Sequence, residues 1–267
     1  MPVSRLHLNL TLAALCGAAP AVLAQPTQGV NKDEIVIGTI QDLSGPVAAY
    51  GKAARNGIQL RVDEINEQGG IHGRKLKLIV EDNAYDPKRA VLAAQKLVNQ
   101  DKVFLIASHI GTPMNNAAMP IQFEKGVINF FPLSAGREMY DPPNKLKFAF
   151  VASYYDTIRM NVARLFKEKG AKNACVLYQD DDYGLEVLRG AEQGLKDIGV
   201  TMGEKTSYKR GATDFSSQVA RMKGSGCDFL VLGTIIRETI GTIAEARKTG
   251  WNPTIIGSQA AYTDLIH

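Results

Sequence analysis

The chain has 267 residues, 45% of them hydrophobic and 22% charged, with a formal net charge of +4. Such a composition, with no long polar tract, suits one or two globular domains with an ample core and excludes a low-complexity or disordered chain. The basic residues are scattered, and the densest group, Arg74, Lys75 and Lys77, alternates with apolar residues as on one face of a strand. With no basic stripe interleaved with aromatics, nucleic acid is excluded as the partner.

Residues 1–24 read as a secretory leader, with Arg5, the apolar core Leu8 to Leu15, and Val22-Leu23-Ala24 as a cleavage site before Gln25. The segment is too short for a transmembrane helix. Cys16 does not fit a lipoprotein site, because Leu15 precedes it where a small residue is needed. The expectation is an exported, periplasmic, soluble protein, probed further by its cysteines. Cys175 and Cys227 remain after cleavage, each at the start of an apolar strand pattern. They read as buried small hydrophobes, and export also permits a disulfide; the sequence leaves both open.

Strand and helix patterns then alternate. Strands are predicted at Ile35–Ile40, Leu76–Val80, Val103–Ala107 and Val127–Phe131, and helices at Tyr50–Gln68, Pro87–Asn99 and Pro113–Glu124. A Pro- and Gly-rich loop, Pro132 through Pro143, separates a second series. Its helices are predicted at Thr157–Lys169, Gly184–Asp197, Asp214–Met222 and Thr239–Lys248. Its strands fall at Ala174–Tyr178, Val200–Thr206, Phe229–Leu232 and Thr254–Ile256. The rhythm predicts an α/β protein of two doubly wound parallel-sheet lobes, residues 25–150 and 151–267, with a hinge and a cleft between them. The second series stops at Tyr262 to His267 where another helix is expected, so segments returning to the first lobe are expected beyond residue 267.

Signatures of catalysis are missing. There is no G-x-G-x-x-G after the first strand, no phosphate-binding G-x-x-x-x-G-K and no G-x-S-x-G elbow. His7, His72, His109 and His267 show no metal-ligand spacing, and Asp180-Asp181-Asp182 lacks the partners of a calcium loop, so a capped acidic turn is expected there. His109 could act as a base but has no nucleophile nearby in the sequence. The expectation is a binder, not an enzyme, with no cofactor and no metal.

The positive signals lie at strand ends. Thr112-Pro113 follows the third strand, with Thr expected as helix N-cap and Pro at the first helical position. Such a helix start can hold a carboxylate. Ser44-Gly45-Pro46, leading to Tyr50-Gly51, follows the first strand, and Pro132-Leu133-Ser134-Ala135-Gly136 follows the fourth. Parallel strands bring these three loops to one sheet edge, where ligands of doubly wound folds sit.

The leader, Ile35-Val36-Ile37-Gly38, Ser44-Gly45-Pro46, Tyr50-Gly51 and Asn66-Glu67-Gln68-Gly69-Gly70-Ile71-His72-Gly73 together resemble one known family. Asp82 through Pro87 and Asp182-Tyr183-Gly184 extend the match. The family is that of the periplasmic leucine/isoleucine/valine-binding proteins, receptors of ABC importers. The resemblance implies two lobes closing over an amino acid. It places the carboxylate-binding hydroxyl at Thr112 and the next loop's contact at Ala135, with Ser134 beside it. The cleft tyrosine falls on Tyr183, a second aromatic position near Ile235, and the first-lobe disulfide positions on Tyr85 and Gly111. The acid that neutralises an α-ammonium falls on Gln259, which can hydrogen-bond a cation but cannot pair its charge.

The resulting expectation is a monomeric solute-binding component that delivers a small carboxylate to an ABC permease in the inner membrane. Its ligand-binding residues are Tyr50, Thr112, Ser134, Ala135, Tyr183 and Gln259, with Ser44, His109 and Arg237 as further candidates. Branched-chain amino acids and aromatic or aryl-alkenoic acids are both open as ligands. A ligand-sensing receptor domain of the same fold is the alternative, and a secreted hydrolase, needing a nucleophile–base pair, is the remaining class.

Overall fold

A computed structural model describes residues 27–266. The leader at 1–24, Cys16, His7 and His267 lie outside the described residues. Every strand pairing within the two sheets is parallel. The first sheet contains β1 (Glu34–Gln41), β2 (Lys75–Asp82), β3 (Leu105–Ala107), β4 (Ile128–Phe130) and the short β5 (Lys147–Phe148) in the order β2-β1-β3-β4-β5. The second contains β6 (Ala174–Gln179), β7 (Lys205–Tyr208), β8 (Phe229–Gly233) and β9 (Thr254–Gly257) in the order β7-β6-β8-β9. Both orders place the first strand of the series beside the third. That is the doubly wound pattern, whose switch point lies between those two strands.

The helices of the first lobe are α1 (Ala48–Glu67), α2 (Pro87–Gln95), which runs into a π-helical turn at Lys96–Gln100, and α3 (Thr112–Glu124). Those of the second are α4 (Tyr154–Glu168), α5 (Asp182–Lys196), α6 (Ser216–Gly224) and α7 (Ile236–Lys248). No described helix is long and apolar enough to cross a membrane. The chain passes from one sheet to the other between Phe148 and Tyr154.

Each lobe seats a helix glycine on its first strand. A Cβ on Gly51 of α1 would collide with the backbone of Asp42, and one on Gly184 of α5 with the backbone of Gln179. Only glycine permits that approach, which draws the start of each helix onto the strand end. The Asn66–Gly73 motif is a turn device. Asn66 donates its amide to the Leu76 carbonyl and accepts from the Leu76 N–H, while Ile71 and Arg74 exchange backbone hydrogen bonds around glycines at positive φ.

Several element boundaries differ from the sequence reading. The strand expected at Val200–Thr206 forms at Lys205–Tyr208, because pairing with Val176–Gln179 of β6 sets its register. α4 begins at Tyr154, three residues before the expected Thr157, because Ser153 and Asp156 form the cap: Ser153 Oγ accepts the Asp156 N–H at 3.0 Å. β5 was not expected from its two-residue pattern and exists through pairing with Asn129 and Phe130. Cys175 and Cys227 are buried and also joined, with Cα atoms 5.9 Å apart, so the disulfide that the sequence left open is present.

Candidate functional site between the lobes

The C-terminal ends of β1, β3 and β4 carry the three loops singled out in the sequence, and the ends of β6, β8 and β9 face them. Between them lies a cavity of about 130 Å³. Tyr50, Thr112, Ser134, Ala135, Tyr183 and Gln259 all line it. Ser44, His109 and Arg237 do not.

Thr112 is the first residue of α3 rather than its cap. Gly111, at φ 94° and ψ 133°, occupies the cap position, and no side chain caps the helix. The Thr112 hydroxyl is thereby free to bond across to the neighbouring loop, where its Oγ1 lies 2.8 Å from Ser134 Oγ. Ser134 Oγ also accepts the Gly136 N–H at 3.2 Å. Whichever hydroxyl of this pair donates to the other, one hydroxyl proton is left unspent at the cavity wall. The β3–α3 loop is braced from below by buried amides. Gln41 donates to the Ser108 carbonyl, and Asn115 to the carbonyls of His109 and Gly111.

Two tyrosines of the cavity were missed as site residues. Tyr85, on the loop after β2, lies over Gly111, where a Cβ would come within 3.1 Å of the Tyr85 ring. Burial pushes its hydroxyl well above the ordinary tyrosine range, opposed by a hydrogen bond with Gln179 of the second lobe. Tyr154 opens α4, and its N–H donates to the Ala135 carbonyl at 2.8 Å, tying the second lobe's first helix to the first lobe's loop. Its ring meets Tyr183 edge-on at 5.0 Å, and burial raises its hydroxyl to about 12. The capping pattern Ser153-Tyr154-Tyr155-Asp156 was the available signal for Tyr154. Tyr85 carried only its coincidence with a disulfide position of the family.

Tyr183, 1% exposed, donates to the Thr234 carbonyl at 2.9 Å and sits 2.8 Å from Ser258 Oγ, so its ring, not its hydroxyl, is presented to the cavity. Tyr50 of α1 donates to the Tyr262 carbonyl at 2.8 Å, a bond between the lobes. Gln259 Nε2 donates to the Ala152 carbonyl at 3.1 Å, while its Oε1 lies 3.3 Å from Thr157 Oγ1, whose single proton has a nearer acceptor in the Ser153 carbonyl at 2.7 Å.

The three further candidates have other partners or surroundings. Ser44 is exposed and donates to Asp82 Oδ2 at 2.6 Å. Arg237 pairs with the buried Glu238 at 2.6 Å. His109 is fully buried with neither ring nitrogen partnered, and burial holds it down to about 3, so it is neutral and unavailable as an acid. Asp181 caps α5 through the N–H groups of Tyr183 and Gly184, as a capped acidic turn should.

Outside the cavity the lobes are latched by polar contacts. Arg137, after β4, grips Glu186 of α5 through Nη2 at 2.8 Å and Nε at 3.0 Å, and Asn116 of α3 donates to Asp182 at 2.9 Å. Arg137 also lies over the Tyr155 ring at 4.0 Å.

A family model described as periplasmic binding protein matches residues 34–267, and the chain belongs to that family. Among curated relatives, the leucine-, isoleucine-, valine-, threonine- and alanine-binding protein of Pseudomonas aeruginosa is 27% identical over 244 residues, covering 91% of this chain and 65% of its own length. Among solved structures, a fatty acid ABC transporter substrate-binding protein from Thermomonospora curvata superposes with a TM-score of 0.82 at 26% identity, covering 90% of this chain and 62% of that one. A solute-binding protein of an ABC transporter from R. palustris, solved with 4-hydroxybenzoate, shares the fold with a TM-score of 0.77 at 22% identity, covering 87% and 63%. The chain thus spans under two thirds of the length of these relatives.

Proposed function

We propose that this protein is the extracytoplasmic solute-binding component of an ABC importer, exported by the leader at 1–24. In this reading, residues 25–150 and 151–267 are two lobes that close over a small carboxylate for delivery to an inner-membrane permease. The observation that carries the reading is the Thr112–Ser134 hydroxyl pair at the start of α3, opening into a cavity walled by both lobes. Neutral donors at a helix N-terminus suit an anion, and a site enclosed by two hinged bodies suits capture and release. The relatives named above bind amino acids, a fatty acid and 4-hydroxybenzoate by their descriptions, which share a carboxylate. Among the described residues lining the cavity none pairs a nucleophile with a base, which supports binding without turnover.

Thermal unfolding of the full-length protein against a panel of small carboxylates and their alcohol analogues tests this. A carboxylate should raise Tm where its alcohol does not, since a ligand bound only by the folded state stabilises it. Thr112→Val should remove that shift. Stabilisation by acid and alcohol alike would sink the carboxylate reading.

A further inference from the structure

We propose that the cavity between the lobes selects an aromatic monocarboxylate with no ammonium group, from the chemistry of its walls; the inference rests on the cavity being the ligand site proposed above.

Among the described residues, no Asp, Glu, Lys, Arg or His lines the cavity. The single side-chain amide on the described wall, Gln259, carries no charge and gives one of its N–H groups to the Ala152 carbonyl. The nearby acids are committed or set back. Asp181 caps α5 and accepts from Gln179, Glu186 holds Arg137, and Glu138, whose Oε2 is buried without a partner beside Gly136, does not join the wall. An α-ammonium enclosed here would meet no counter-charge on the described wall, and an unpaired buried cation is strongly disfavoured.

A carboxylate is treated differently by the same walls. The unspent proton of the Thr112–Ser134 pair and the positive end of the thirteen-residue α3 both favour an anion at one end. The site is therefore polar at that end and not matched by any charge at the other.

The body of the ligand meets rings. Tyr50, Tyr85, Tyr154, Tyr183 and Phe150 all border the cavity. The hydroxyls of Tyr50, Tyr85 and Tyr183 are bonded to Tyr262, Gln179, and Thr234 with Ser258. What these residues offer a ligand is ring face and edge, which suits an aromatic partner. The volume, about 130 Å³, is on the scale of the roughly 150 Å³ apolar cavity that encloses one benzene.

Titration calorimetry on the full-length protein with two matched pairs separates the possibilities. 3-Phenylpropanoate and L-phenylalanine differ only by the ammonium, as do 4-methylpentanoate and L-leucine. Each ammonium-free acid is expected to bind at least 100-fold more tightly than its amino partner, and 3-phenylpropanoate more tightly than 4-methylpentanoate. Gln259→Glu, which cannot donate to Ala152 and brings a carboxylate to the wall, should narrow the gap for phenylalanine tenfold or more. Equal or tighter binding of the amino acids overturns this inference and leaves the carboxylate-binding reading standing. Tighter binding of 4-methylpentanoate overturns the aromatic preference. Failure of all four acids to bind overturns the site itself.

Discussion

The two lobes share a strand order and differ in what fills them. In the second, β6 and β8 run as ACVLYQ and FLVLG with nearly every residue buried, and a disulfide joins Cys175 at the start of β6 to Cys227 just before β8. In the first, the corresponding interior holds fully buried polar side chains: Thr39, Gln41, His109, Asn115, Gln122 and Asn129. Of these, Gln41 and Asn115 brace the β3–α3 loop that carries Thr112, and Asn129 donates to Asn115. The second lobe has fully buried polar side chains too, Gln179, Thr234, Glu238 and Thr242, but they sit at strand ends and on α7. Its strands thus form an apolar wall where the first lobe's interior is a polar mount. The difference lies in side chains, because the hydrogen-bonded backbone frame is common to both.

The sharpest way to break the comparison is to remove the second lobe's staple. Closing a loop of 52 residues by a disulfide restricts the unfolded chain by about 4 kcal/mol on the chain-entropy account. Reduction, or Cys175→Ala with Cys227→Ala, should lower stability by that order in denaturant unfolding. An unchanged midpoint would mean that the apolar core alone holds this lobe.

The contact between the lobes comes next. Glu186 is 1% exposed on its side chain and Arg137 is its bidentate partner, with Arg189 only at 3.8 Å. Arg137→Ala leaves a buried carboxylate with little compensation and should cost about 3 kcal/mol. Thermal melts would register it, and a loss confined to ligand-bound protein would assign the pair to closure rather than to folding.

The polar interior of the first lobe makes its own prediction about acid. His109 is held near 3 by burial, against 6.5 in an unfolded chain. The unfolded state therefore takes up this proton on acidification before the folded state does, so stability is full above about pH 6.5 and falls as pH drops toward 3. Between pH 6.5 and 5 the loss should be about 2 kcal/mol. His109→Gln should flatten that slope, measured by urea unfolding at several pH values. A slope unchanged by the substitution would locate the acid sensitivity elsewhere.

Much of this was legible in the chain. The alternation of apolar runs with amphipathic stretches determined two parallel sheets, because a buried parallel strand needs apolar side chains on both faces and a crossover helix to return. The strand-end loops at Thr112 and Ser134-Ala135 were visible for the same reason: parallel strands all end at one edge. Less was legible where a side chain's target lies far along the chain. Gln259 reads as a cleft residue and lines the cavity, yet one of its N–H groups is held by the Ala152 carbonyl. Arg237 and His109 stand near strand ends, but local partners and burial take them out of the cleft. Tyr85 had no local signal, since its place depends on Gly111 and on Gln179 in the other lobe.

The sequence by itself determined the two-lobe α/β plan and the hydroxyl-bearing loops, set by periodicity and local backbone chemistry, and its motifs carried the family resemblance. The tertiary structure alone decided that Cys175 meets Cys227, that Thr112 bonds Ser134 instead of capping its helix, and that rings from both lobes line a cavity with no charged side chain among the described residues of its wall. Those outcomes depend on contacts between residues dozens of positions apart, which only the packing of the sheets brings within bonding distance.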